Sequence, residues 1–137
     1  MKVLIDTNVI LDVLIGREPY VEASAAFLRL CGVQITGLIT VSQTTDISYL
    51  LRRDGKSAAE AKTVIQTLIT NVKATDVTVG DMVTALGSDI SDYEDALIAC
   101  SGNRNKAEYI VTRNEKDFIS SPIPALSPQA FLQRFFS

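Results

Sequence analysis

The side chains of this chain that could do chemistry are acids, because none of its 137 residues is a histidine. That excludes Ser-His-Asp and Cys-His catalysis and any zinc or iron site built on imidazole. Two cysteines, Cys31 and Cys100, are too few for a tetrahedral thiolate site. Metal chemistry would therefore rest on oxygen ligands, which select magnesium or manganese. Asp95 is the carboxylate that local structure explains least. Ser91 and Glu94 have capping-box spacing, which predicts a structural role for Glu94, and Asp92 suits a helix N-terminus through the macrodipole. Asp95 instead runs into Ala96-Leu97, with Ile98 and Ala99 one turn on. A carboxylate on such a face is costly unless something positive neutralises it, so a ligand role is favoured.

Other positions pose the same question. Asp6 ends the apolar run Val3-Leu4-Ile5 and precedes Thr7-Asn8. It reads as a helix cap or as a ligand held at a strand end, and the segment alone leaves both open. Asp46 shares a helical face with Tyr49 and Leu50, so it is either a ligand or a rim carboxylate paired with Arg53 or another base. Asn114 and Asp117 lie in Thr112-Arg113-Asn114-Glu115-Lys116-Asp117-Phe118, where turn and cap roles are common for local reasons. As a set, acids past strand ends and acids on facing helices describe a hard-cation site for phosphodiester chemistry.

The elements that must position them follow from periodicity. Val3-Leu4-Ile5 reads as a buried parallel strand, followed by a helix through Val9, Ile10, Val13 and Leu14 that stops at Gly16. Pro19 opens a second helix that ends at Gly32, and residues 33–39 form a second strand. Helical spacing returns from Ser42 to Leu51, and Ser57-Ala-Ala-Glu60 caps the next helix. A third strand at 74–77, a short helix through Met82 and Leu86, a helix over 91–101 and a fourth strand at 109–112 follow. Ser127-Pro128 starts a last helix in cap-then-proline order. Strands alternating with helices predict an α/β/α sandwich on a parallel sheet, with binding sites at the strands' carboxyl ends.

Composition sets the frame. One domain over residues 1–137 is expected at this length, with 47% hydrophobic and 21% charged residues. A net charge of −3 excludes a polycationic nucleic-acid coat but not a nuclease, whose acidic pocket is offset by bound cations. No apolar run approaches a membrane span, and free thiols at Cys31 and Cys100 suit a reducing cytoplasm.

Five pieces in order, Leu4-Ile5-Asp6-Thr7-Asn8, Asp46 before Tyr49-Leu50-Leu51, Asp92-Tyr-Glu-Asp95-Ala-Leu-Ile-Ala99, Ile110-Val-Thr-Arg-Asn114-Glu-Lys-Asp-Phe118 and Ile123-Pro-Ala-Leu-Ser-Pro-Gln-Ala-Phe131, resemble PIN-domain (PilT N-terminus) ribonucleases. The closer likeness is to the small bacterial branch that includes VapC-type toxins. The resemblance implies a central parallel sheet of four or five strands and an acidic pocket for Mg2+ or Mn2+. It also implies hydrolysis of RNA by metal-activated water to 5′-phosphate and 3′-hydroxyl ends. By position, Asp6 and Asp95 match the family's most constant acids, and Asp46 a position more often glutamate. The fourth acidic place holds Asn114, so either Asn114 contributes a neutral oxygen or Asp117, ranked first, or Asp92 reaches in. The implied metal ligands are Asp6, Asp95 and Asp117, with Asp46 beside them in catalysis. Thr7, Asn8 and Thr112 would orient water or phosphate, and Arg113 and Lys116 would hold the RNA backbone, extended by Arg52, Arg53 and Lys56. A small antitoxin and a homodimer are the implied partners. The rival readings are a housekeeping RNA-processing nuclease and a PIN-like binding module with weakened catalysis.

Overall fold

The computed structural model describes all 137 residues. Its centre is β1 (Lys2–Ile5), which pairs in parallel with β2 (Thr36–Thr40) on one side and β4 (Tyr109–Val111) on the other. Strands β3 (Lys73–Thr75) and β5 (Ala125–Leu126) complete a five-stranded parallel sheet in the order β3-β2-β1-β4-β5. The helices are α1 (Thr7–Ile15), α2 (Val21–Leu28), α3 (Val41–Arg53), α4 (Ala58–Leu68), α5 (Val79–Leu86), α6 (Tyr93–Arg104) and α7 (Pro128–Phe136).

Side-chain alternation in β1 divides the molecule into two cores. Val3 and Ile5 point to one face, where they pack with Val9 and Ile10 of α1, Phe27 of α2, Ile47 of α3 and Phe131 of α7. Leu4 points to the other, against Ala85 of α5 and Ala96, Ile98 and Ala99 of α6. A strand covered on both faces must be apolar throughout, which is why Val3-Leu4-Ile5 shows no polar alternation. The expected three-layer architecture is therefore the one observed.

Boundaries differ where turn chemistry outweighs periodicity. Strand β2 starts at Thr36, because Gly32 adopts a left-handed φ of 81° and the Val33 N–H donates to Leu30 C=O in a turn. Helix α2 starts at Val21 rather than Pro19, and β3 is shorter than expected. Strand β5 has only two residues, too few to show a period. The caps at Ser57-Glu60 and Ser127-Pro128 form as expected. Cys31 is buried and Cys100 half-buried, both free thiols, and burial pushes Cys31 up to about 12.

This order places the topological switch between β1 and β4, where successive connections leave in opposite directions and open a crevice at the carboxyl ends. Asp6 follows β1 there, and its N–H donates to Val111 C=O of β4 at 2.9 Å. Helix α6 lies close over β1 because Gly102 has no side chain: a Cβ there would stand 2.9 Å from Leu4 Cδ2 and 3.3 Å from Ile123 Cδ1. Gly102 follows Asp95 by roughly two helical turns, so the two share a face and Asp95 is directed to the same side of α6 as the sheet contact. Gly102→Val should overpack this seam and lower stability by about 1–3 kcal/mol, read from urea unfolding midpoints.

Candidate active site

Asp6 occupies the N-cap position of α1, yet its side chain makes no capping hydrogen bond. Its carboxylate instead accepts from the Thr112 hydroxyl at 2.7 Å, tying the end of β1 to the end of β4. Of the two readings open in the sequence, the cap is thus not what the side chain does. Burial raises its pKa, the Thr112 bond partly opposes this, and the negative charge of Asp117 adds to the rise.

Helix α6 brings in the next acids. Asp92, not Ser91, is its N-cap, accepting from the Asp95 N–H at 2.9 Å. The capping box expected of Ser91 and Glu94 does not form, because the helix begins two residues after Ser91 and puts Glu94 in its first turn. Glu94 meets Asp46 of α3, and the hydrogen bond between their carboxyl groups, with burial and the charges of Asp46, Asp92 and Asp95, pushes it up to about 7. Asp46 therefore meets another acid rather than Arg53. Asp95 is half-buried and is also raised to about 7, first by burial, then by Asp6, Asp92 and Asp117.

The turn after β4 supplies the other wall. Glu115–Phe118 form one 3-10 turn, in which Asp117 N–H donates to Asn114 C=O. Asp92, Asp95, Lys116 and Asp117 line a cleft of about 280 Å³, and Asn114 does not. Asp6 is not on the cleft wall, but its charge reaches Asp95. Three acids, Asp6, Asp92 and Asp117, thus act on Asp95, and Glu94 beside it meets Asp46.

The residues expected to touch substrate divide. Lys116 is exposed on the cleft. Thr112 is fully buried with its hydroxyl on Asp6, so it orients a carboxylate rather than contacting RNA. The Thr7 hydroxyl accepts from Gln43 Nε2, and Asn8 Oδ1 accepts from the Arg113 N–H at 3.4 Å. Arg113 turns into the protein: its Nε donates to buried Asp12 at 2.7 Å, and its guanidinium lies 4.0 Å from the Tyr20 ring. Arg52 and Arg53 are exposed at the end of α3. Three residues escaped the sequence reading. Asp12 carried the same signal as Asp95, an acid among Val9, Ile10 and Val13. Gln43 completes a capping box with Thr40 while its Nε2 donates to Ile5 C=O at 2.8 Å. Glu94 was hidden by a competing local pattern.

No group of three or more acidic or thiol side chains stands close enough together to hold a metal ion as the side chains lie. The set is open and mutually repelling, which suits magnesium, an ion that keeps several waters and takes one or two carboxylates. The repulsion has a stability consequence. Between Asp95's ordinary 3.8 and its value here of about 7, the folded chain holds a proton that the unfolded chain does not. Stability from this group is therefore lost as pH rises through that window. In metal-free melts, Asp95→Asn should raise the Tm at pH 8 and change it little at pH 5.

Comparison with known proteins identifies the family and the fold. A family model described as PIN domain matches residues 2–116. No curated protein matches the chain. Among solved structures, FitAB bound to an IR36 DNA fragment is similar with a TM-score of 0.71 at 16% identity, over 92% of this chain and 94% of that one. VapBC-1 from nontypeable Haemophilus influenzae gives 0.70 at 15% identity, over 94% and 99%. Mycobacterium tuberculosis VapC20, a sarcin-ricin loop cleaving toxin, gives 0.62 at 15% identity, over 79% and 86%. At such identities the structures speak for the fold, and the family model speaks for descent: the chain belongs to the PIN-domain family.

Proposed function

We propose that this protein is a divalent-metal-dependent endoribonuclease and the toxin of a toxin–antitoxin pair. The observation that carries the enzymatic reading is the gathering of Asp6, Asp92, Asp95 and Asp117 at the switch point, where they repel one another instead of pairing with bases. A bound cation would offset such crowding when the acids are ionised, and an all-oxygen donor set fits magnesium or manganese. Asp6, Asp95 and Asp117 would hold it. When bound, such an ion supplies Lewis acidity towards the scissile phosphate and acidifies water to near neutrality.

The chain's own residues do the positioning. The Thr112 hydroxyl fixes one oxygen of Asp6 and so holds that carboxylate at the ends of β1 and β4. Asp92 fastens the first turn of α6 and so sets where Asp95 starts. Lys116 is placed to take a backbone phosphate at the cleft wall, since phosphate contacts position a nucleic acid without reading its bases. Glu94, pushed up to about 7 by its hydrogen bond with Asp46, by burial and by the nearby acids, carries less than a full negative charge near neutrality.

The toxin reading is supported by the similar structures, which include VapBC and FitAB assemblies. A small antitoxin would be the protein partner. A homodimer belongs to the same reading, and α5 exposes Val79, Val83 and Leu86 at helical spacing, an apolar stripe that a second copy would cover. No helix is long and apolar enough to cross a membrane.

Cleavage of RNA should require Mg2+ or Mn2+ and stop with excess chelator. Asp6→Asn and Asp95→Asn should abolish it, and Asp117→Asn should reduce it by orders of magnitude, more than Asn114→Ala does. Undiminished cleavage in chelator would overturn the metal-dependent reading. Wild-type cleavage by Asp117→Asn would remove that residue alone.

A further inference from the structure

Asp12 is wholly buried on α1, and nothing in the proposed chemistry uses it. Its Oδ2 accepts from Arg113 Nε at 2.7 Å and from the Ser24 hydroxyl at 3.2 Å, while its Oδ1 has no partner. A buried ion pair of this kind adds little net stability over apolar residues of the same volume, because desolvating both charges offsets their attraction. Stability alone therefore does not account for it. Its location suggests what does.

Arg113 sits between Thr112, which addresses Asp6, and Asn114, which holds Thr112. Before it, Thr112 donates to Asp6 at 2.7 Å; after it, the Asn114 N–H donates to that same Thr112 hydroxyl at 3.0 Å. The Arg113 N–H itself reaches Asn8 Oδ1 on α1. Asp12 and Asn8 are one turn apart on α1, so one helix holds Arg113 by both its backbone and its side chain. The Tyr20 ring packs on the guanidinium from α2's N-terminal side and restricts its swing.

We propose that the buried Asp12–Arg113 pair is a positioning device that locks the turn after β4 onto α1, thereby setting Thr112 against Asp6 and Asp117 into the cleft. Arg113 is a positioning residue here, not an RNA contact. The proposal rests on the nuclease reading for its effect on activity, but its structural content is independent of that reading.

The test replaces the pair by apolar residues of similar volume, Asp12→Leu with Arg113→Met, so that no lone charge is left buried. The double variant should melt within a few degrees of wild type. Its Mn2+ affinity by calorimetry should nevertheless fall roughly tenfold or more, the range typical of lost outer support around a metal site. Its kcat on RNA should fall about as far with KM nearly unchanged, because ligands are misplaced while backbone contacts persist. Amide exchange at Arg113 and Asn114 should quicken. A folded double variant with wild-type Mn2+ affinity, kcat and exchange would overturn the proposal. If the double variant does not fold, Arg113→Lys decides: it keeps the charge but not the fork, so the same loss of affinity and quickened exchange are expected, and wild-type values would overturn the proposal. Wild-type protein that neither binds Mn2+ nor cleaves RNA would sink the nuclease reading instead, leaving amide exchange in either variant to judge the lock.

Discussion

Two strands of a parallel sheet end side by side, and the chain after each must be held still if a site is to form between them. Here the Thr112 hydroxyl spans that gap by donating to the Asp6 carboxylate in a buried setting. A hydrogen bond to a charged group in such surroundings is stronger than a neutral one and harder to lose, because the carboxylate would be left desolvated. The bond makes the end of β1 and the end of β4 one unit. The other parts of the site are attached to it: α3 through Gln43 on the Ile5 carbonyl, and the 3-10 turn through Asn114 on the Thr112 oxygen.

That unit supports an arrangement that is unfavourable by itself. Asp95 feels three neighbouring acids as well as burial, and Glu94 beside Asp46 is pushed up to about 7. Local interactions work against the repulsion without cancelling it. Asp92 caps α6, an interaction typically worth about 1 kcal/mol, and α6 seats against β1 at Gly102. In the proposed function a cation would offset this crowding.

Local patterns misled where two were superposed. Ser91 and Glu94 had the spacing of a capping box, but Asp92 was an equally good cap and sat one residue later. Choosing it shifts the helix start and turns Glu94 towards Asp46, an acid on a different helix. Arg113 was read beside an acidic pocket as a phosphate contact, yet it answers a stronger demand, that of a buried carboxylate at Asp12 with no other cation to meet. Neither outcome is visible in spacing along one segment.

By itself the sequence determined the elements and the kind of chemistry. Apolar runs, periodic stripes and caps such as Ser57-Glu60 are local, and they identify strands and helices wherever the chain goes. The lack of histidine restricts any metal to oxygen ligands regardless of fold. The five ordered pieces carried the resemblance to the PIN family, and Asp95 stood out as an acid on an apolar face. Tertiary structure decided which acids meet. It brought Asp117 rather than Asn114 to the cleft, turned Thr112 onto Asp6, and placed Glu94 against Asp46. Those choices depend on strand order, on the close seat of α6 and on competition among distant charges. A carboxylate's neighbours are set by the path of the whole chain, whereas its helix or strand is set by the residues beside it.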